Sequence, residues 1–197
     1  MAERLAGVVL AAGAGSRLGG PKALVRDDAG AWLPRACRLL AGAGCAPVIA
    51  VLGASADAAA ELLPEDTTVV VADDWATGLG ASLRAGLEAA RGAGAGAVLI
   101  TLVDLPSVAP EAVTRVASHW AGDPTVLARA TDAGTPGHPV LIGAAHVDAL
   151  LATLEGDRGA GAYLRAHGAV EVDCTGLGVV DDVDTADGDN SADVDVR

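Results

Sequence analysis

The sequence predicts an α/β domain of three layers, with a mostly parallel sheet covered by helices on both sides. Three observations predict it. Short apolar runs rich in Val, Ile and Leu recur along the 197 residues, each too short for a helix and bounded by Gly, Pro or Asp. Ala-rich stretches with helical spacing lie between them, so strands and helices alternate. The runs are apolar at successive positions rather than at every second one, as in strands buried on both faces.

Taken in order, the first strand is expected at 7–11, followed by a helix over 33–42 with Pro34 near its start and Gly42 at its end. A strand at 48–53, a helix over 56–63 and a strand at 68–72 continue the alternation. A helix over 81–91 leads to the apolar run 97–102, and Pro110 opens a helix over 110–120. Two further strands are expected at 125–128 and 139–142, then a helix over 144–154. No internal repeat or linker divides the chain, so residues 1–187 read as one domain and 188–197 as an acidic, mobile tail.

Composition narrows the function. There are 26 acidic residues against 13 basic ones, a net charge of −13, which repels nucleic acid and anionic membrane surfaces. A phosphate-bearing partner must therefore be met by local positive charge. No apolar run is long enough to span a membrane, and Met1-Ala-Glu-Arg leads straight into a strand rather than a signal sequence. Cys37, Cys45 and Cys174 are odd in number and lack a Cys-x-x-Cys pair or a His at zinc-ligand spacing, so they read as buried thiols in a reducing cytosol. A cytoplasmic protein, monomeric or a small homo-oligomer, is the expectation.

The segment Leu10-Ala11-Ala12-Gly13-Ala14-Gly15-Ser16-Arg17-Leu18-Gly19-Gly20-Pro21-Lys22 follows the first strand, where ligands of open α/β sheets bind. Its glycines let backbone N–H groups approach an anion, and Arg17 and Lys22 add charge. The dinucleotide pattern G-x-G-x-x-G fails because Leu18 occupies the third glycine position. A P-loop fails at Pro21 and Ala23, on either side of Lys22. The chain has twelve Arg and one Lys, and that one is Lys22. A GC-rich coding bias explains the arginines; a lysine kept against it suits a compact charge on a phosphoryl oxygen.

This segment resembles the signature of MobA-like nucleotidyltransferases, closest to the molybdenum cofactor cytidylyltransferases. The resemblance extends in order through Asp74-Trp75-Ala76-Thr77-Gly78-Leu79-Gly80-Ala81-Ser82, Thr101-Leu102-Val103-Asp104-Leu105-Pro106, Gly137-His138-Pro139, Gly156-Asp157-Arg158-Gly159 and Asp182-Val183-Asp184-Thr185. It implies a Rossmann-like nucleotidyltransferase fold. It also implies Mg²⁺-dependent transfer of a nucleotidyl group from a nucleoside triphosphate, CTP favoured, to a phosphorylated acceptor, molybdopterin cofactor, with release of pyrophosphate. Gly161 departs from the pattern, standing where a second basic residue is usual.

The resemblance assigns catalysis to Lys22, Arg17 and Asp104, and nucleotide binding to Leu10, Ala11, Ala12, Gly13, Gly15, Ser16, Gly80 and Ser82. Metal binding falls to Asp104, Asp182 and Asp184, and acceptor binding to His138, Asp157 and Arg158. Each has a plainer alternative. Asp104 can cap a helix or serve a turn ahead of Pro106, Ser82 can cap a helix, and Asp157 and Arg158 can be a cap and a solvent-facing charge. Asp182 and Asp184 share one face of an extended strand, or belong to a solvated acidic run. Pro139 implies a bulge or a sheet edge beside His138. Two rival functions stand: an NAD(P)-dependent oxidoreductase of the nicotine-pigment-reducing type, and a nucleotide-binding protein without catalysis.

Overall fold

A computed structural model describes residues 4–15 and 19–183, together with the backbone of 195–196. The chain opens with β1 (Arg4–Ala11), a 3-10 turn (Lys22–Leu24), and the short pair β2 (Val25–Asp27) and β3 (Gly30–Ala31). There follow α1 (Trp32–Gly42), β4 (Val48–Leu52), α2 (Ala56–Ala60), β5 (Thr67–Val71), a second 3-10 turn (Trp75–Thr77), α3 (Leu79–Gly92) and β6 (Ala95–Leu102). The second half holds α4 (Pro110–Ala117), β7 (Leu127–Asp132), β8 (Thr135–Gly143), α5 (Ala144–Leu151), α6 (Gly161–Ala166) and β9 (Val170–Asp173). Of the stretch 188–197, only the backbone of Asp195–Val196 is described; as β10 it pairs antiparallel with β2.

The main sheet has seven strands in the order β5-β4-β1-β6-β8-β7-β9. Only β8 is reversed: it runs antiparallel to β6 and β7, while the other neighbouring pairs are parallel. The expected mostly parallel α/β architecture is therefore what the chain adopts. Alternation along β1 explains the layers. Leu5, Val9 and Ala11 face a core shared with Leu33, Cys37 and Leu40 of α1 and Val113 and Val116 of α4. Ala6, Val8 and Leu10 face the opposite core, covered by Leu83 and Leu87 of α3, Leu150 of α5 and Leu164 of α6.

Every expected strand and helix is present, but several boundaries move. Helices α2, α4 and α5 each end three residues before the spacing predicts. The strands expected at 125–128 and 139–142 are longer and form a hairpin, β7–β8, turning at Ala133 and Gly134. Arg129, Thr131 and Asp132 broke the apolar run that would have marked β7. Of the bulge or edge expected at Pro139, the edge is excluded, because β8 is an inner strand flanked by β6 and β7. The irregularity is a register shift in the β7–β8 pairing, between Arg129 opposite Val140 and Thr131 opposite Pro136, the stretch of β8 that holds Pro139.

The three cysteines are buried and unpaired, and burial pushes the thiols of Cys37 and Cys45 up to about 12. Among the described residues no helix is long and apolar enough to cross a membrane.

Candidate active site

The parallel strands β1, β4 and β6 end together, and the chain leaving β1 is held between the other two. Val103 N–H donates to the Leu10 carbonyl at 3.1 Å and Ala54 N–H to the Ala12 carbonyl at 3.0 Å. Beyond this anchor the loop turns at Gly15, whose φ is +57°. A Cβ there would sit 1.9 Å from the Gly20 carbonyl oxygen, so the turn excludes any side chain. Leu10, Ala11, Ala12, Gly13 and Gly15 form one wall of a cleft of about 420 Å³.

Lys22 enters this cleft from the first 3-10 turn and Asp104 from the end of β6. The ammonium donates to Asp104 Oδ2 at 2.6 Å, with the two side chains only 16% and 17% exposed. Asp104 Oδ1 is buried and has no hydrogen-bond partner among the described residues. That orphaned oxygen sets aside the helix-cap alternative, as does α4, which begins after Ala109. A carboxylate with one oxygen on a lysine and one turned from solvent without a donor fits a divalent cation carried in by phosphate oxygens, since Mg²⁺ sites commonly use one or two carboxylates and substrate phosphates. Val183 N–H donates to the Asp104 backbone carbonyl at 3.0 Å, bringing 181–183 beside the cleft. Asp182 is exposed there and makes no described contact with the Asp104 carboxylate. Among the described residues no three His, Cys, Asp or Glu side chains cluster as a ready-made metal cage.

The opposite wall comes from the start of α3. Ser82 lies inside the helix rather than at its cap and lines the cleft. Gly80 is buried beneath it, with its N–H committed to the Gly156 carbonyl at 2.8 Å. The same 156–157 turn brings Asp157 to the cleft, where Oδ1 accepts the Leu79 N–H at 3.4 Å. Arg158 is not brought in: its side chain is 73% exposed, 3.8 Å from Glu155, and lines neither cavity. Ser16, Arg17 and Asp184 lie outside the described residues.

His138 lies elsewhere, in a second cavity of about 220 Å³ that shares Leu10, Leu79 and Leu102 with the first. It is half-buried, and burial holds its imidazole below the usual histidine range, against the opposing pull of the Ile100 carbonyl, 3.4 Å from Nδ1, and of the Asp104 charge. The imidazole is therefore neutral at neutral pH.

Two residues escaped the sequence reading as site residues. Trp75, present in the sequence reading only as part of the 74–82 segment, lines the first cleft and packs against Gly53, where a Cβ would meet its ring at 2.5 Å. With three Trp and no Phe in the chain, each aromatic was a signal in itself. Arg129 lines the second cavity almost wholly buried, and the signal was a charge inside an otherwise apolar strand.

Comparisons with known proteins bear on the family and the fold. Residues 7–172 match the MobA-like NTP transferase domain. The chain is 36% identical to the nicotine blue oxidoreductase of Paenarthrobacter nicotinovorans, over 92% of both proteins. Its fold is similar to that of Rv0371c from Mycobacterium tuberculosis, with 31% identity, a TM-score of 0.78, and 95% of this chain and 96% of that one covered. The M. tuberculosis protein has also been solved in complex with manganese; that structure matches with 29% identity, a TM-score of 0.72, and 88% and 89% coverage. A nucleotidyl transferase from Methanothermobacter thermautotrophicus is 25% identical with a TM-score of 0.76, each chain being covered to 92%.

Proposed function

We propose that this chain, which belongs to the MobA-like NTP transferase family, moves a nucleotidyl group from a nucleoside triphosphate to a phosphorylated small-molecule acceptor and releases pyrophosphate. CTP is the proposed donor, molybdopterin cofactor the proposed acceptor and Mg²⁺ the proposed ion. The observation that carries the reading is the Lys22–Asp104 pair beside the glycine loop, with Asp104 Oδ1 buried and without a partner among the described residues. Hydride transfer has no use for such a pair.

In-line transfer between phosphates asks for alignment and charge neutralisation more than for covalent chemistry. The loop amides around Gly13 and Gly15 and the Lys22 ammonium would receive the triphosphate, with Ser16 and Arg17 proposed to extend that cradle. Ser82 and the loop 10–12 would hold the nucleoside. An acceptor phosphate is already an anion at neutral pH, so no general base is needed. Asp104 would hold the divalent ion, with Asp182 or Asp184 as the second carboxylate; when bound, the ion neutralises charge on the phosphates. A cytoplasmic setting is proposed from the three unpaired, buried thiols.

The second reading follows from the nicotine blue oxidoreductase, at 36% identity. A thermal-shift series with CTP, GTP, ATP, NADH and NADPH, each with and without Mg²⁺, separates the two. The transferase reading expects stabilisation by a triphosphate that depends on the metal. Stabilisation by a reduced nicotinamide nucleotide alone would replace it with the oxidoreductase, and triphosphate binding without pyrophosphate release in the presence of acceptor would leave a nucleotide-binding protein.

A further inference from the structure

The register of the sheet sets Ile49, Val8, Ile100, Val140, Arg129 and Glu171 side by side in one row across β4, β1, β6, β8, β7 and β9. The first four are buried aliphatics of one core. The fifth position is also buried, at 7% exposure, yet it is an arginine. Its Nη2 donates to Glu171 Oε1 at 2.6 Å on the half-exposed edge of the sheet, whereas its Nε is buried with no partner among the described residues. A buried guanidinium with an unsatisfied donor is unfavourable, and a hydrocarbon here would simply extend the row. The fold therefore gains nothing evident from this arginine.

What Arg129 does face is the second cavity, otherwise walled by aliphatic side chains such as Leu83, Val140 and Leu164. It is the one charged residue among the described lining residues, because His138 is neutral. The cavity continues into the nucleotide cleft through Leu10, Leu79 and Leu102, and β7 lies two strands from β6, about 10 Å to the side. A molecule with its phosphate beside Lys22 and Asp104 can thus lay an apolar ring body along this passage toward the guanidinium. We infer that Arg129 is a specificity residue that reads a second anionic group on a ring-bearing acceptor, at the end remote from its reacting phosphate. The inference rests on the transferase reading for calling this ligand an acceptor; the anion-selective pocket itself stands on the geometry alone.

The test is calorimetric, with 2-naphthoate and its neutral counterpart 2-naphthamide as probes of the native protein. The wild type is expected to bind the carboxylate at least tenfold more tightly than the amide. Arg129→Leu should lose that preference and keep its thermal midpoint, since it fills the aliphatic row and leaves behind only Glu171, whose side chain is half exposed and stays solvated. Glu171→Gln, on the exposed edge, should tighten naphthoate binding several-fold by removing the competing carboxylate, and it decides the matter if the leucine variant fails to fold. No preference in the wild type, a preference that survives Arg129→Leu, or weaker naphthoate binding in Glu171→Gln would each overturn the inference and leave Arg129 as a partner of Glu171 only. The transferase reading is scored separately, by metal-dependent CTP stabilisation. If that is absent while the naphthoate preference holds, the transferase reading falls and the anion site stands.

Discussion

Two carboxylates, one on the chain that leaves β6 and one tied to it through Arg35, are equally buried but differently satisfied. Asp27 and Asp104 side chains are both 17% exposed. Asp27 takes both arms of the Arg35 fork at 2.8 and 2.9 Å, the Trp32 indole N–H at 2.9 Å and the Ala29 N–H at 2.9 Å, so both its oxygens are used twice. Arg35 also donates to the Pro106 carbonyl, tying β2 and α1 to the segment that carries Asp104. The Arg35 bonds, foremost among these contacts, hold the Asp27 carboxyl below its ordinary value. Asp104 has Lys22 on one oxygen and, among the described residues, no partner on the other. A saturated pair can only clamp; an unsaturated buried one keeps capacity for a ligand, and here it faces a cleft.

The largest expected effect falls on the unsaturated pair. Lys22→Ala should reduce kcat for pyrophosphate release by about 10²–10³, the range for loss of one preorganised transition-state donor. Its circular dichroism should be unchanged, and turnover near the wild-type value would remove the lysine from the mechanism. The saturated pair should behave in the opposite sense. Asp27→Ala is expected to destabilise the fold by about 2–3 kcal/mol in denaturant titration, because it strands a guanidinium and an indole N–H, while nucleotide affinity of the folded protein stays the same. A large loss of affinity with unchanged stability would erase the distinction between the two pairs.

His138 gives the smallest effect and sharpens the scale. Its folded pKa is depressed by burial, so as pH falls through about 6.5 the unfolded chain takes up a proton before the folded one. Stability is therefore expected to fall on the acid side, by up to about 1.4 kcal/mol per pH unit, until the folded imidazole also protonates. His138→Gln should lack this contribution. Thermal midpoints recorded from about pH 7.5 to pH 5 check it, and equal acid slopes in the two proteins would contradict the burial of the imidazole.

The layers were legible in the sequence because the strands of this sheet are apolar on both faces, so β1, β4 and β6 read as continuous runs. What escaped were elements whose stability comes from neighbours. The edge strand β9 is Val-Glu-Val-Asp, mostly exposed, and is fixed by pairing with β7. The six-residue α6 is held by Tyr163 and Leu164 against the sheet, and β2–β3 is too short to show a period. In the site, the loop and Lys22 stood out by local composition. The partner of Lys22, the missing partner of Asp104 Oδ1 and the burial of Arg129 are facts of three dimensions, separated by 82 residues in the first case, that spacing along the chain does not carry.

The Asp104 oxygen that has no partner among the described residues is proposed to serve a metal–nucleotide complex. Titrating CTP into the wild type and into Asp104→Asn by calorimetry, with and without Mg²⁺, tests it most directly. Mg²⁺ is expected to tighten CTP binding in the wild type, and the substitution to abolish this gain while the protein stays folded. Metal-dependent affinity that is the same in both proteins would contradict it and leave Asp104 as the structural partner of Lys22.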